Sequence, residues 1–178
     1  MNKKIIWITQ TAVMIALLVV LQAVTKPLGQ FVTGSLVNLI LIVAALFGGL
    51  NCGLTVALVS PFFAYLLGIG TNFIQIVPAI AIGNIVFVML MHSLTGKALK
   101  KRSYIIAGIE LVLSAAVKFL TLWALIVKLI IPTLGLDDNK AAVLGTTFSW
   151  PQLITALIGG ALAMAIVPLI QKALKKEQ

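Results

Sequence analysis

The sequence predicts an all-α integral membrane protein, a bundle of six transmembrane helices with N and C termini in the cytoplasm. Three observations carry that prediction: an excess of apolar residues, the spacing of the polar breaks, and the side on which basic residues collect. Hydrophobic residues make up 61% of the 178 and charged residues 10%, with a mean hydropathy of +1.17. That is more apolar surface than a soluble core of this size can bury, so lipid must solvate most of the chain. A spanning helix needs roughly 20 apolar residues at about 1.5 Å rise each, so the length holds about six spans with short loops, as a single membrane domain over residues 1–178.

The first span covers about residues 5–25. It follows Lys3 and Lys4 with no small-residue cleavage site, so it reads as a retained helix, and it stops at Lys26-Pro27-Leu28-Gly29. The apolar run from Thr33 to Gly68 is too long for one span, and the glycines of Gly48-Gly49-Leu50-Asn51-Cys52-Gly53 divide it into helices over about 34–49 and 52–68. Pro61 lies inside the second of these and predicts a kink or a local break. The fourth helix, about 72–93, contains Pro78 and the pair Gly83-Asn84, and the basic stretch from Lys97 to Arg102 ends it. The fifth, about 103–131, outlasts the hydrocarbon and should tilt or project beyond the bilayer. Pro132 to Lys140 is the most polar loop, and the sixth helix covers about 149–170.

Alternating the sides of successive loops puts Lys3, Lys4, Lys97, Lys100, Lys101, Arg102, Lys172, Lys175 and Lys176 on one face of the membrane, and only Lys26 and Lys140 on the other. Nine against two is a positive-inside bias, which assigns the termini and the Gly48 turn to the cytoplasm. The formal charge of +9 is therefore a topology signal and not a nucleic-acid footprint.

Catalysis finds little to work with. The chain has one histidine, His92, one cysteine, Cys52, and four acids, Glu110, Asp137, Asp138 and Glu177. No nucleophile, paired-carboxylate or metal-ligand pattern joins them, so no enzyme, metal or cofactor is expected. His92, at a helix end, reads as a partner of headgroups or loop carbonyls.

Glu110 and Lys118 are sharper signals, because an ionisable group inside a span costs several kcal/mol unless it is paired or hydrated. At 100° per residue Glu110, Ser114 and Lys118 share one stripe of the fifth helix, and about 12 Å separates the two charges, too far for a direct pair. Each could be satisfied by a neighbouring helix or by water. Lys118 lies about 24 Å beyond Arg102, in the outer half, where other polar and aromatic residues gather. These are Gln30 and Phe31 in the first outer loop, Ser35 and Asn38 early in the second helix, Tyr65 late in the third, and Asn72 and Gln75 opening the fourth. Trp123 late in the fifth, and Trp150 and Gln152 opening the sixth, complete the set. Singly, such aromatics read as a belt at the headgroup level; together with Lys118 they read as an outward-facing pocket for a planar solute. Asn84 and Glu110 are further buried polar candidates. Ala12 and Ala16, one turn apart on the first helix, allow a second helix to approach closely.

The small six-span plan, the Ala12/Ala16 pair within Thr11-Ala12-Val13-Met14-Ile15-Ala16-Leu17-Leu18, the glycine-centred inner turn and Gly83-Asn84 together resemble the substrate-binding S component of energy-coupling factor (ECF) transporters. The resemblance covers nearly the whole chain. It implies a multi-pass protein of the bacterial cytoplasmic membrane that captures a small water-soluble vitamin or related micronutrient from outside. It also implies partners: a transmembrane coupling protein, contacted through Ala12 and Ala16, and two ATP-binding subunits. The first outer loop, around Gln30 to Ser35, would act as the gate. A planar heterocycle bearing a carboxylate, phosphate or carbonyl would suit Lys118 beside tryptophans. Two other functions fit the composition: a stand-alone secondary transporter with Glu110 as its protonated site, and a non-transporting membrane scaffold or assembly partner.

Overall fold

The structure, a computed structural model, describes residues 2–100 and 103–175. Lys101, Arg102 and Lys176 of the positive-inside tally lie outside the described residues. Among the described residues the chain is all-helical, with no strand. Five helical segments are long and apolar enough to cross a membrane, and a sixth, shorter apolar helix lies among them.

Helix α1 (Lys3–Thr25) opens at Asn2, whose side chain accepts the Lys4 backbone N–H. Pro27, in the short turn Lys26–Leu28, and then Gly29 at φ 85° end this direction, and α2 (Gln30–Phe47) begins four residues earlier than the sequence suggested. Gly49, at φ 88°, makes the tight reversal into α3 (Leu50–Leu66), a conformation side chains with a Cβ rarely adopt. α3 runs uninterrupted through Pro61, so the local break does not occur; packing by its neighbours outweighs one lost backbone donor.

α4 (Val77–Leu90) starts later than expected, with Pro78 in its first turn, where the missing N–H costs nothing. It continues through wide π-type turns (Met91–Thr95) into α5 (Gly96–Lys100). α6 (Tyr104–Leu122) likewise passes into π-type turns over Trp123–Ile130. The polar loop after it holds a helix the sequence reading did not foresee, α7 (Asp138–Thr147), capped by Asp137, which accepts the Lys140 N–H at 2.9 Å. That bond and the Lys140 ammonium, 3.0 Å away, hold the Asp137 carboxyl below its ordinary range. α8 (Trp150–Lys175) closes the chain.

Helix α2 is the axis of the bundle. Every residue from Asn38 to Ala45 is buried, the pattern of a helix enclosed on all sides. It packs most extensively against α8, and also against α1 and α3, while α4 and α6 complete the ring between α3 and α8. One apolar core joins Leu39, Ile42, Phe87, Met91, Leu111 and Ala163; a second joins Leu18, Leu41, Ala44, Cys52 and Val56. By contrast α1 turns Ile5, Ile8, Val13, Val20 and Val24 outward, as a lipid-facing helix does.

Glycines set how closely these helices approach. A Cβ on Gly159 would lie 2.7 Å from Asn38 Cβ and 2.9 Å from the Leu39 backbone nitrogen, and one on Gly53 would lie 2.6 Å from Ala45 Cβ. Gly108 has nothing within 4 Å. Gly159→Ala and Gly53→Ala should therefore each cost about 1–3 kcal/mol of stability by overpacking, whereas Gly108→Ala should be neutral or slightly stabilising. Thermal unfolding in detergent micelles ranks the three, and an equal effect at Gly108 would contradict the packing account.

Candidate functional site

The sequence places a lysine on the inner face of α6, and the bundle gives it no carboxylate. Lys118 is 2% exposed. Its Nζ donates to Asn38 Oδ1 at 2.5 Å and to Asn84 Oδ1 at 2.8 Å, and it lies 5.0 Å from the centroid of the Phe87 ring. Asn38 Nδ2 in turn donates to Thr155 Oγ1 at 3.4 Å, a long bond. One ammonium thus ties α2, α4 and α6, and through Asn38 also α8. The close approach at Gly159 is what brings Thr155, one turn earlier on α8, within reach of Asn38.

Lys118, Asn38 and Asn84 form the floor of a cavity of about 440 Å³, a size suited to a small organic molecule. Its walls come from the C-terminal end of α1 (Gln22), Lys26 in the turn after it, the N-terminal half of α2, the end of α3 (Pro61, Ala64, Tyr65), Ile80 of α4 and Gln152 of α8. All of these lie at the end of the bundle remote from both chain termini. The mouth is edged by the exposed residues Lys26, Gly29, Gln30 and Gly70. Helix α7 lies over it with Val143, Leu144 and Thr147, and is fastened by the side-chain amides of Gln30 and Gln152, which both donate to the Thr147 carbonyl, at 3.0 and 3.3 Å.

Of the residues proposed from sequence as a binding set, Gln30, Asn38, Tyr65, Lys118 and Gln152 line this cavity, and Ser35, Asn72, Gln75, Trp123 and Trp150 do not. Ser35 is buried, its hydroxyl donating to the Phe31 carbonyl at 2.6 Å. Asn72 and Gln75 are exposed, because they precede α4 in an irregular stretch and a short turn (Ile74–Ile76). Trp123 sits under the Lys128 ammonium, 4.8 Å from its ring centroid, on another side of α6. Trp150 is 53% exposed and packs against Phe31, ring centroids 5.7 Å apart, in a shallow surface groove.

Glu110 is half-buried and away from the cavity; its Oε2 is enclosed with no hydrogen-bond partner among the described residues. Ala12 and Ala16 are both exposed. His92 Nδ1 lies 2.8 Å from the Ala45 carbonyl, a helix-to-helix contact rather than a catalytic one.

The sequence reading missed Gln22 and Lys26, the wall from α7, and the placement of Asn84 in the floor itself. Gln22 carried a usable signal, a long polar side chain in the otherwise apolar stretch 12–24 of the first span. The Asp137 cap was a readable start for α7.

This geometry defines an integral membrane helical protein with a polar-floored cavity inside its bundle. The model of the family described as ECF transporter, substrate-specific component matches residues 7–171, nearly the whole chain, and the chain belongs to that family. It is a substrate-binding subunit of ECF transporters, with a substrate and an ECF module as its partners. Neither a curated protein nor a solved structure matches it.

The floor behaves as one unit if the ammonium requires both amide oxygens. Asn38→Leu should then cost about 1.5–3 kcal/mol of stability, the range for a hydrogen bond to a charged group. In a Lys118→Met background the same substitution should cost less, by about 1 kcal/mol or more. Strict additivity in this double-mutant cycle would show that the two side chains do not depend on each other.

Proposed function

We propose that this chain is the high-affinity binding subunit for a small water-soluble vitamin or related micronutrient, imported across the cytoplasmic membrane of a bacterium. In this reading it is a single membrane domain of six spans, the short α3 being the sixth, with both termini cytoplasmic. The nine-to-two distribution of basic residues supports that orientation, and the cavity then opens outward. The substrate would be held by Lys118, Asn38 and Asn84 at the floor, with Gln30, Tyr65 and Gln152 nearer the mouth. Ser35, Asn72, Gln75, Trp123 and Trp150 are left outside the proposed set by their positions.

The observation that carries the proposal is the cavity above a buried, polar floor contributed by separate helices. A scaffold whose helices only pack has no use for such a volume. A secondary transporter cycling a proton on Glu110 would need that residue on the solute path, and Glu110 does not line the cavity. Binding, rather than catalysis, is the work the floor can do, and transport energy would come from a coupling protein with two ATP-binding subunits. The exposed Ala12 and Ala16 offer a shallow face on α1 for that coupling protein to approach.

Two measurements test this. In a thermal-shift screen of water-soluble vitamins on the purified chain, at least one should raise Tm by several degrees, as ligand bound only to the folded state must. Lys118→Ala should remove most of that shift, and a flat response across the screen would contradict the proposal. Separately, Ala12→Leu with Ala16→Leu should weaken co-purification with the ECF module while leaving vitamin binding intact. Retained co-purification would take α1 out of the docking face.

A further inference from the structure

We infer that the molecule bound in this cavity is an organic carboxylate, seated with its charged group on the Lys118 ammonium. The inference rests on reading the cavity as the substrate site and names the chemical class that site selects.

An ammonium has three N–H donors, and Lys118 spends two on the neutral amide oxygens of Asn38 and Asn84. The cavity lining holds no acidic side chain; Glu110 is two turns away on α6, and the ion pair between Lys140 and Asp137 is at the surface. A buried cation with neutral partners only is costly, and the Phe87 ring offsets a fraction of that cost. An anion entering the cavity finds the missing countercharge and the third donor together.

Charge and oxygen count favour a carboxylate over a phosphate. The floor supplies one positive charge, with no arginine fork, while a phosphate carries about −1.5 to −2 and three acceptor oxygens. Lys26, at the exposed rim, is screened by water and adds little at the floor. The Asn38 and Asn84 oxygens already flank the ammonium and would repel the surplus oxygens of a phosphate. A single-charge carboxylate balances the site.

Gln22, 7% exposed, also lines the cavity, but its Oε1 is sealed from the open space and does not face a ligand. The requirement that the lining sets is therefore a single acid group on the solute. Tryptophan stacking does not enter the recognition, since neither Trp123 nor Trp150 reaches the cavity.

The low-molecular-weight extract of bacterial cells, split on an anion-exchange resin, provides the test, read as the Tm of the purified full chain. The resin-bound fraction should stabilise the protein, keep that activity after alkaline phosphatase, and lose it after carbodiimide conversion of carboxylates to amides. Loss on phosphatase treatment, or survival of amidation, would overturn the carboxylate assignment. Stabilisation by the unbound fraction alone would overturn it too, while leaving the cavity as a binding site. No stabilisation by any fraction would overturn the binding reading and this inference with it. With the active compound purified, Lys118→Met should weaken binding on the order of 100-fold. Unchanged affinity in a folded Lys118→Met protein would contradict the inference; if that variant does not fold, the resin, phosphatase and amidation outcomes on the natural chain decide it.

Discussion

A lysine ammonium in the interior of a lipid-wrapped bundle is the constraint from which the rest of this structure follows. Such a charge costs several kcal/mol in hydrocarbon unless polar groups surround it. No single neighbouring helix here provides enough of them. Asn38 and Asn84 must arrive from α2 and α4 at hydrogen-bond distance, and Thr155 of α8 steadies Asn38. Lys118, Asn38 and Asn84 also line the cavity.

The supporting fold is arranged around that convergence. Helix α2 is buried on all sides because it must reach Lys118, the first helix and α8 at once. Glycines rather than large apolar residues line its closest approaches, at Gly53 and Gly159, so backbones meet where side chains would otherwise hold them apart. Below the floor the bundle is packed with Leu39, Ile42, Phe87 and Met91. Above it, α7 is attached to α2 and α8 by two glutamine amides on a single carbonyl, that of Thr147. Ala141 and Leu144 of α7 also pack against the cluster of Ile126, Ile131 and Phe148.

Much of this was legible in the residues. Apolar excess and the polar breaks gave the helical membrane class, and the rule that intramembrane charges need partners singled out Lys118. The family resemblance, drawn from the first helix, the glycine turn and Gly83-Asn84, agrees with the family to which the chain belongs. What was not legible is helix rotation. Trp123 is five residues past Lys118, about 140° around a helix, and so faces elsewhere. Trp150 is two residues before Gln152, about 200° away, and Gln152 faces the cavity. Asn72 and Gln75 failed for another reason: a short turn delays the start of α4, and residues expected on a helix face lie in solvent-exposed backbone. Helix α7 was hidden because Asp137-Asp138-Asn139 reads as loop until Asp137 is recognised as a cap.

The account stands or falls on whether the interior around Lys118 is open and able to hold a solute. An experimental structure of the chain in lipid nanodiscs, isolated with whatever small molecule it retains from a native membrane, tests this directly. The account predicts density for a compact solute in contact with Lys118 Nζ, between Asn38 and Asn84 and beneath α7. A Lys118 side chain turned away from those amides, with aliphatic side chains closing the space above them, would contradict it.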